Sequence, residues 1–365
     1  MNTQSARIIL NGKDHKDIYF NGKYHNQMWR TNEYGKPTLL WEKLNESTYR
    51  GFNMSIKPDG GFCRFQAKGD FTINWGDGVI EDIHMEDLDY IHNVSTHNYS
   101  SLSLDTYDVW LYGNIVDLDF SNSVGIKSFN NSLPPTMSWK TDFSNMFSHI
   151  GSLANSYTIN SDLFKYCVNA TNFTSCFEDS NLSEIPKGLF DNCIAATNMS
   201  KCFYGGAYVN QITIIPDGLF KNLSLVTDFS SCFRGRSAIT TIGKDILANC
   251  TSAVDLSRFL FDTGITEIPD GMLDDLVNLE NASSFCAICE SLETVPFSLF
   301  DNCTKLNNVR AAFYNNFSIT SSLPPLWERE WTDITQYEGC YYNCTKASNY
   351  GDIDRWYLTG ELDEF

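Results

Sequence analysis

Cations are scarce in this 365-residue chain: 26 lysines and arginines stand against 45 aspartates and glutamates, a formal net charge of −19. Such a balance repels phosphate backbones, and no clustered Lys/Arg face is present to displace counterions, so nucleic acid is not an expected partner. Long apolar runs are missing too. No window reaches the roughly 18 uninterrupted apolar residues that a membrane span needs. Met1 to Arg30 also lacks a basic segment followed by an apolar one. A chain with no membrane insertion and no secretion address is therefore expected. Histidine is rare, with 6 residues, and neither a Gly-x-x-x-x-Gly-Lys phosphate cradle nor a Gly-x-Ser-x-Gly elbow occurs. No catalytic set can be assembled, which points to a non-enzymatic protein without a cofactor. Aromatic residues, by contrast, are plentiful. With 25 Phe, 18 Tyr and 8 Trp in a 42% hydrophobic chain, there is ample material for buried cores and too much for a disordered polypeptide. The length suggests two or three domains.

Self-similarity is the strongest signal. The run Ser161-Asp162-Leu163-Phe164-Lys165-Tyr166-Cys167 returns as 187–193, 217–223, 244–250, 270–276 and 297–303, at a pitch of 26, 30, 27, 26 and 27 residues. A second column, Phe177, Phe203, Phe233, Leu260, Cys286 and Phe313, keeps the same intervals. Ile185-Pro186, Ile215-Pro216, Ile268-Pro269 and Val295-Pro296 precede the first column. A β-branched residue before proline favours extended backbone, while proline suits a first helical turn. Each unit is therefore expected to run strand, proline, short helix. None can bury its apolar face alone, and stacking on its neighbours supplies the core.

These residues resemble a known family. Val226 to Phe233, Thr197 to Phe203 and Ile215 to Asn222 are similar to BspA-type leucine-rich repeats, including the mycoplasma-lipoprotein variant, over about residues 133 to 345. The resemblance implies a leucine-rich-repeat solenoid and an adhesive or interaction surface, as found in bacterial surface proteins and in phages of gut bacteria. The pattern weakens at Asp245-Ile246-Leu247 and Phe259-Leu260-Phe261, where the Cys-Phe signature is lost.

Eleven of the twelve cysteines follow position 166. Cys286-x-x-Cys289 and Cys340-x-x-x-Cys344 have the spacing of half a zinc site. Against that, Cys167, Cys193, Cys250 and Cys303 share a column with Leu223 and Leu276, and Cys176, Cys202 and Cys232 share one with Phe259 and Phe285. Positions that accept Leu or Phe are packing positions, where a thiol acts as a small hydrophobe. Core ladders are the favoured reading, with one or two disulfides or a metal as alternatives.

Residues 1–45 read as a β-hairpin attachment arm. Asn11-Gly12 and Asn21-Gly22, ten residues apart between apolar runs, suit type I′ turns and are the candidate particle-docking residues. The stretch from Ile8 to Lys23 also resembles N-terminal segments of bacteriophage tail and virion proteins. Residues 46–129 alternate as strands, and Asn74-Trp75-Gly76-Asp77-Gly78 resembles the turn of PKD-like β-sandwiches, which implies a buried Trp and a hairpin. His84, His92 and His97 near Glu81, Asp82, Asp87 and Asp89 read as a solvated acidic loop rather than a site. Asn-x-Ser/Thr triplets such as Asn198-Met199-Ser200 read as turn formers. Residues 130–346 form the repeat domain, opened by Leu133-Pro134-Pro135 and closed by an aromatic last rung, and 347–365 an acidic C-terminal cap.

The expected fold class is thus α+β: hairpin arm, small sandwich and solenoid of about 27-residue units. Per-repeat variation in solenoids marks the binding face. The loops after the Cys-Phe column offer Tyr204, Tyr208, Arg234, Arg236 and Tyr314 as candidate ligand-binding residues, Tyr and Arg being enriched at hot spots. The functional expectation is a virion structural protein, associated with tail, collar or fibre. Its arm would meet other virion proteins, and its repeats a bacterial surface glycan or protein; self-association stays open. A bacterial cell-surface adhesin with the same repeats is the alternative, and a polysaccharide-degrading enzyme a distant third.

Overall fold

Asn-Gly between short apolar runs calls for a two-residue hairpin, and the first such site has one on either side of it. The computed structural model describes residues 8–10, 13–15, 27–31, 37–42, 51–58, 62–83, 92–99, 105–151, 156–206 and 211–360. β1 (Ile8–Leu10) pairs antiparallel with β2 (Lys13–His15), Leu10 opposite Lys13, which leaves two residues for the connection. Asn11, Gly12, Asn21 and Gly22 themselves lie outside the described residues. β3 (Gln27–Thr31) and β4 (Pro37–Glu42) form a second antiparallel pair.

β5 (Phe52–Ile56), β6 (Phe62–Asn74), β7 (Ile80–Ile83), β8 (His92–Asn98), β9 (Tyr107–Val124), β10 (Ile126–Phe129) and β11 (Thr158–Ile159) make one seven-stranded sheet. Its order is β11-β10-β5-β9-β6-β7, with β8 also on β6. Period-two alternation explains the pairing: Tyr107, Val109 and Leu111 of β9 are buried while Asp108 between them is exposed. At the end of β6, Trp75 is fully buried and stacks on His97 at 4.5 Å. The turn around it is fixed by the Gly76 N–H donating to Asn74 Oδ1 and the Val79 N–H to Asp77 Oδ1, both at 3.0 Å. His97 Nε2 lies 2.9 Å from Asp77 Oδ2. His97 thus anchors the turn; His84 and the side chain of His92 lie outside the described residues.

Beyond β10 the chain repeats a ten-residue rung, at 141–150, 171–180, 197–206, 227–236, 254–263, 280–289, 307–316 and 335–344. Numbering each rung from 1 to 10, the N–H groups of positions 3, 5, 7 and 9 donate to the carbonyls of positions 2, 4, 6 and 8 of the following rung. Between the second and third rungs these are Phe173 to Asn198, Ser175 to Ser200, Phe177 to Cys202 and Asp179 to Tyr204, at 2.8–3.0 Å. The Asn/Asp residues at position 2 form parallel bridges from Asp142 to Asn308. Each also accepts the N–H two residues on, as Asn198 Oδ1 does from Ser200 at 2.8 Å, so the Asn-x-Ser/Thr triplets beginning there are turn formers. Position 5 has positive φ in every rung, yet only the last has glycine there; Asn145, Ser175, Lys201, Ser231, Arg258, Ser284 and Ala311 all sit near 55°. A left-handed non-glycine residue costs roughly 1–2 kcal/mol, which the bonds on either side offset. The sheet runs into this stack without a break: Phe120 and Asn122 of β9 donate to Met146 and Ser148.

The helical half of the α+β expectation is not met. Among the described residues there is no α-helix, and five 3-10 helices of three or four residues are the helical content. The Leu-Phe runs instead make successive three-residue-closure turns, such as Lys165 N–H to Asp162 O and Cys167 N–H to Phe164 O. Gly188, Gly218, Asp245 and Gly271 have positive φ within four of them, which interrupts the uniform dihedrals that a helix needs. The short strands β12 (Ile214–Ile215) and β13 (Thr241–Ile242) pair in parallel ahead of two such runs. The chain is sheet-rich.

Position 7 carries the aromatic spine. Phe120, Phe147, Phe177, Phe203 and Phe233 stack ring on ring at 5.1–5.6 Å, within 12° of parallel. Where the Cys-Phe signature fails, the pair exchanges sizes: Phe259-Leu260 and Phe285-Cys286 put the ring at position 6, and Phe259 meets Phe233 edge-on at 5.3 Å. One large and one small side chain fill the layer either way, which explains why thiols and rings share columns. Each buried ring contributes roughly 1.5–3 kcal/mol. All twelve cysteines are free and buried.

Two predictions follow from this packing. Burial pushes Cys63, Cys167, Cys250, Cys303 and Cys344 up to about 12. Ellman's reagent at about pH 8, near the reference thiol pKa, is expected to find no reactive thiol in the folded chain and all twelve after unfolding in guanidinium; fewer than twelve would mean disulfides. The second concerns Asp77. Burial alone would raise its carboxyl, but hydrogen bonds from His97 and the Val79 N–H hold it below its ordinary value of 3.8. A depressed carboxylate stabilises the fold above that value and loses its contribution as pH falls through the lower folded one. Melting measured from neutral pH down to about 3 should therefore fall less steeply at the acid end in Asp77→Asn than in the parent.

Candidate interaction surface

The side chains at positions 4, 5 and 8 of each rung lie around one bend, since the position-8 N–H donates back to the position-5 carbonyl, as Phe261 does to Arg258. Position 8 runs Ser148, Glu178, Tyr204, Arg234, Phe261, Ala287, Tyr314, Tyr342, changing at every rung but the last while the backbone bonds do not. Two of the residues expected at a binding face are neighbours here. Tyr204 and Arg234 are both half-buried on adjacent rungs, joined by Gly205 N–H to Arg234 O at 2.9 Å. The Arg234 guanidinium lies 4.7 Å over the Phe261 ring. Phe261, Ala287, Ala311 and Tyr314, with Ile288 and Tyr342 against them, form a small apolar cluster apart from the main core.

Tyr314 is not a free surface residue. It is 8% exposed, stacks on Tyr342 at 4.9 Å, and its hydroxyl donates to Gly360 O at 3.2 Å. Burial and then the Tyr342 hydroxyl raise its pKa. The chain beyond the last rung covers it. Tyr208 lies outside the described residues.

Arg236 overturns its assignment outright. It is fully buried, and its guanidinium donates to Phe203 O (2.7 Å), Ser180 O (3.1 Å), Phe177 O (3.2 Å) and Tyr204 O (3.3 Å). The reason lies in position 10. The carbonyl at position 7 faces the interior without a partner in the next rung, and a position-10 side chain supplies one. Ser180 Oγ donates to Phe177 O, Thr263 Oγ1 and Cys289 Sγ to Leu260 O, Asn316 Nδ2 to Cys286 O, and Cys344 Sγ to Phe313 O. Like Cys289, Asn316 and Cys344, Arg236 reaches back one rung, here to Phe203 O, and its longer side chain goes on to Phe177 O a rung further. Gly205 makes room: a Cβ there would sit 2.5 Å from Arg236 Nε. Burial lowers the Arg236 pKa to about 10, which still leaves it charged at neutral pH.

Two cations that sequence reasoning passed over belong to the same flank. Arg258 stands at position 5 where other rungs have Ser175, Ser231 and Ser284, and Arg310 at position 4 where five others have Ser. Their departure from a serine column was the available signal. Arg310 pairs with Glu338 at 3.8 Å. Cys286, Cys289 and Cys344 are engaged with the core, and among the described residues no three His, Cys, Asp or Glu side chains converge as metal ligands.

No family model matches this chain, and no curated protein does. Among solved structures it is similar to a chain of the Toll–Spatzle complex of Drosophila, at 16% identity and a TM-score of 0.30, over 54% of this chain and 30% of that one. It is also similar to a leucine-rich repeat protein from Bacteroides ovatus, at 13% identity and a TM-score of 0.18, over 75% of this chain and 85% of that one. The chain spans less than a third of the first of these. Neither likeness bears on the resemblance of residues 8 to 23 to virion proteins. No helix among the described residues is long and apolar enough to cross a membrane.

Arg236→Met is expected to destabilise the chain by about 3–5 kcal/mol, since it strips several buried carbonyls of their donor. Arg236→Lys should recover only part, because one ammonium cannot span four acceptors. Equilibrium urea unfolding of the three proteins measures both; equal midpoints would refute the buried role.

Proposed function

We propose that this chain is a non-enzymatic recognition protein of a bacteriophage particle. In this reading a leucine-rich-repeat solenoid, joined to a small β-sandwich, presents one variable flank to a bacterial host cell. The N-terminal hairpin segment attaches it to other virion proteins of the tail, collar or fibre. One observation carries the reading: the same backbone bonds link all eight rungs while position 8 of the bend varies among Ser, Glu, Tyr, Arg, Phe and Ala, with Glu178, Tyr204, Arg234 and Tyr342 half-buried there. A scaffold whose backbone bonding is constant and whose bend residues vary is suited to recognition, because substitutions there leave the bonding between rungs untouched. The BspA-type resemblance over 133–345 and the virion-like stretch from Ile8 to Lys23 support the same conclusion, and the scarcity of paired carboxylates argues against glycoside cleavage.

Fractionation of a lysate on a density gradient tests it. An antibody against the chain is expected to detect it in the particle band, at fixed ratio to capsid protein. Recovery in the cell-envelope fraction instead would overturn the virion assignment in favour of a bacterial surface adhesin with the same repeats. Release of reducing ends from host polysaccharide by the purified chain would overturn the non-enzymatic part.

A further inference from the structure

In a chain of net charge −19, three guanidinium groups gather on the variable flank between the fourth and seventh rungs. Adjacent rungs bring them there: Arg258 N–H donates to Ser283 O, Ser284 N–H to Arg310 O, and Gly235 N–H, next to Arg234, to Phe261 O. Arg258 lies between the other two. Its pKa is lowered first by burial and then by the positive charges of Arg234 and Arg310. Among the described residues its guanidinium makes no hydrogen bond or ion pair, and its Nε is shut off from solvent with no partner there. Asp255, the one carboxylate whose charge favours the Arg258 cation, is already committed: Oδ1 accepts the Ser257 N–H at 2.6 Å and Oδ2 the Asn281 amide at 3.1 Å. Asp262 and Glu338 stand at the margins beside Arg234 and Arg310.

A half-buried charge of this kind is costly unless something compensates it. We propose that Arg234, Arg258 and Arg310 form a binding site for a carboxylate-bearing polysaccharide, Arg258 taking a sugar carboxylate and the serines around it taking sugar hydroxyls. Arginine presents a planar fork that matches a carboxylate bidentately. Ser230 and Ser283 at position 4 are half-buried, while Ser257 at position 4 and Ser231 and Ser284 at position 5 keep only 7–8% of their surface exposed; none of these hydroxyls makes a hydrogen bond among the described residues. They supply donors and acceptors one rung apart. Arg258 and Arg310 are two rungs apart, about 10 Å at the usual ~4.8 Å between strands, comparable to the advance of a disaccharide. A nucleic acid fits poorly, since three cations cannot answer a phosphate every ~1.7 Å along a duplex. An acidic peptide is less well served than a glycan, because each rung here is hydrogen-bonded on both sides and offers no open edge for strand addition.

The site rests on reading this flank as a recognition surface, and its test is independent of where the chain resides. The full-length chain is titrated at low salt with polygalacturonate, alginate and hyaluronate, with fully methyl-esterified polygalacturonate, and with poly-L-glutamate. At least one carboxylated glycan should bind, and the ester should not. Arg258→Gln and Arg310→Gln should each weaken that binding about tenfold or more, as expected for loss of a charge-assisted contact. Arg258→Gln should also keep or raise the melting temperature, because an uncompensated buried charge is removed; a purely structural arginine would lower it. Absence of binding to all three glycans, equal binding of the ester, or unchanged affinity in both variants would overturn the site. Tighter binding of poly-L-glutamate would overturn the glycan class and assign a protein partner. A chain that sediments with particles yet ignores every glycan refutes this site and leaves the display reading standing.

Discussion

A wall built from tight turns has to find a partner for every main-chain group it buries, and here that requirement shapes the whole repeat. Half of the problem is solved by translation: four N–H groups per rung meet four carbonyls of the next rung, and two more carbonyls, at positions 3 and 5, are closed locally by turns. The carbonyl at position 7, beside the aromatic spine, takes a turn N–H only at Phe177 and Phe233. An unsatisfied buried carbonyl costs on the order of 1–3 kcal/mol, and a stack of eight would lose most of a domain's stability. Position 10 exists to remove that cost. Serine, threonine, cysteine, asparagine and arginine all appear there, sharing nothing but a donor that can reach the carbonyl.

This requirement changes what the cysteines mean. Those at position 6, Cys176, Cys202, Cys232 and Cys340, are small fillers beside a ring, and they trade places with Phe259 and Phe285 as volume dictates. Cys289 and Cys344 at position 10 act through their S–H, as weak donors to Leu260 O and Phe313 O. Cys250 in the Leu-Phe run likewise donates to Phe220 O at 3.2 Å. The two residue classes look alike in sequence because both are buried thiols, but one answers to packing and the other to hydrogen bonding.

Much of the architecture was legible from spacing. The pitch, both apolar columns, the Asn turns and the packing role of the thiols follow from which residue types may replace one another at a position. What escaped was direction. Arg236 looked like a surface residue because it departs from its column beside a variable loop, and such departures were taken to mean exposure. At position 10 the side chain serves the Phe203 carbonyl one rung earlier, information held 33 residues away and visible only when rungs are laid side by side. Tyr314 failed for a different reason, since its cover comes from Gly360, outside the repeat altogether. The expected short helices failed at Gly188, Gly218, Asp245 and Gly271, whose positive φ the proline-led pattern does not reveal.

The same constraint explains how a strongly acidic chain can hold Arg258 with no carboxylate bonded to it among the described residues. All seven position-2 residues from Asp142 to Asn308 are bound to repeat geometry through their Asx turns, so an aspartate there uses an oxygen on the N–H of its own turn. Serine fills half of positions 4 and 5, and it neither attracts nor neutralises a cation. An arginine introduced into these columns thus enters a place where the periodic carboxylates are unavailable, and the left-handed backbone at position 5 is already fixed by its neighbours whatever side chain it carries. The repeat tolerates such a charge because its stability is set elsewhere, in the spine and in position 10. That separation lets charge accumulate on one flank without threatening the fold, and it makes the flank the place where function can vary while the rungs stay the same.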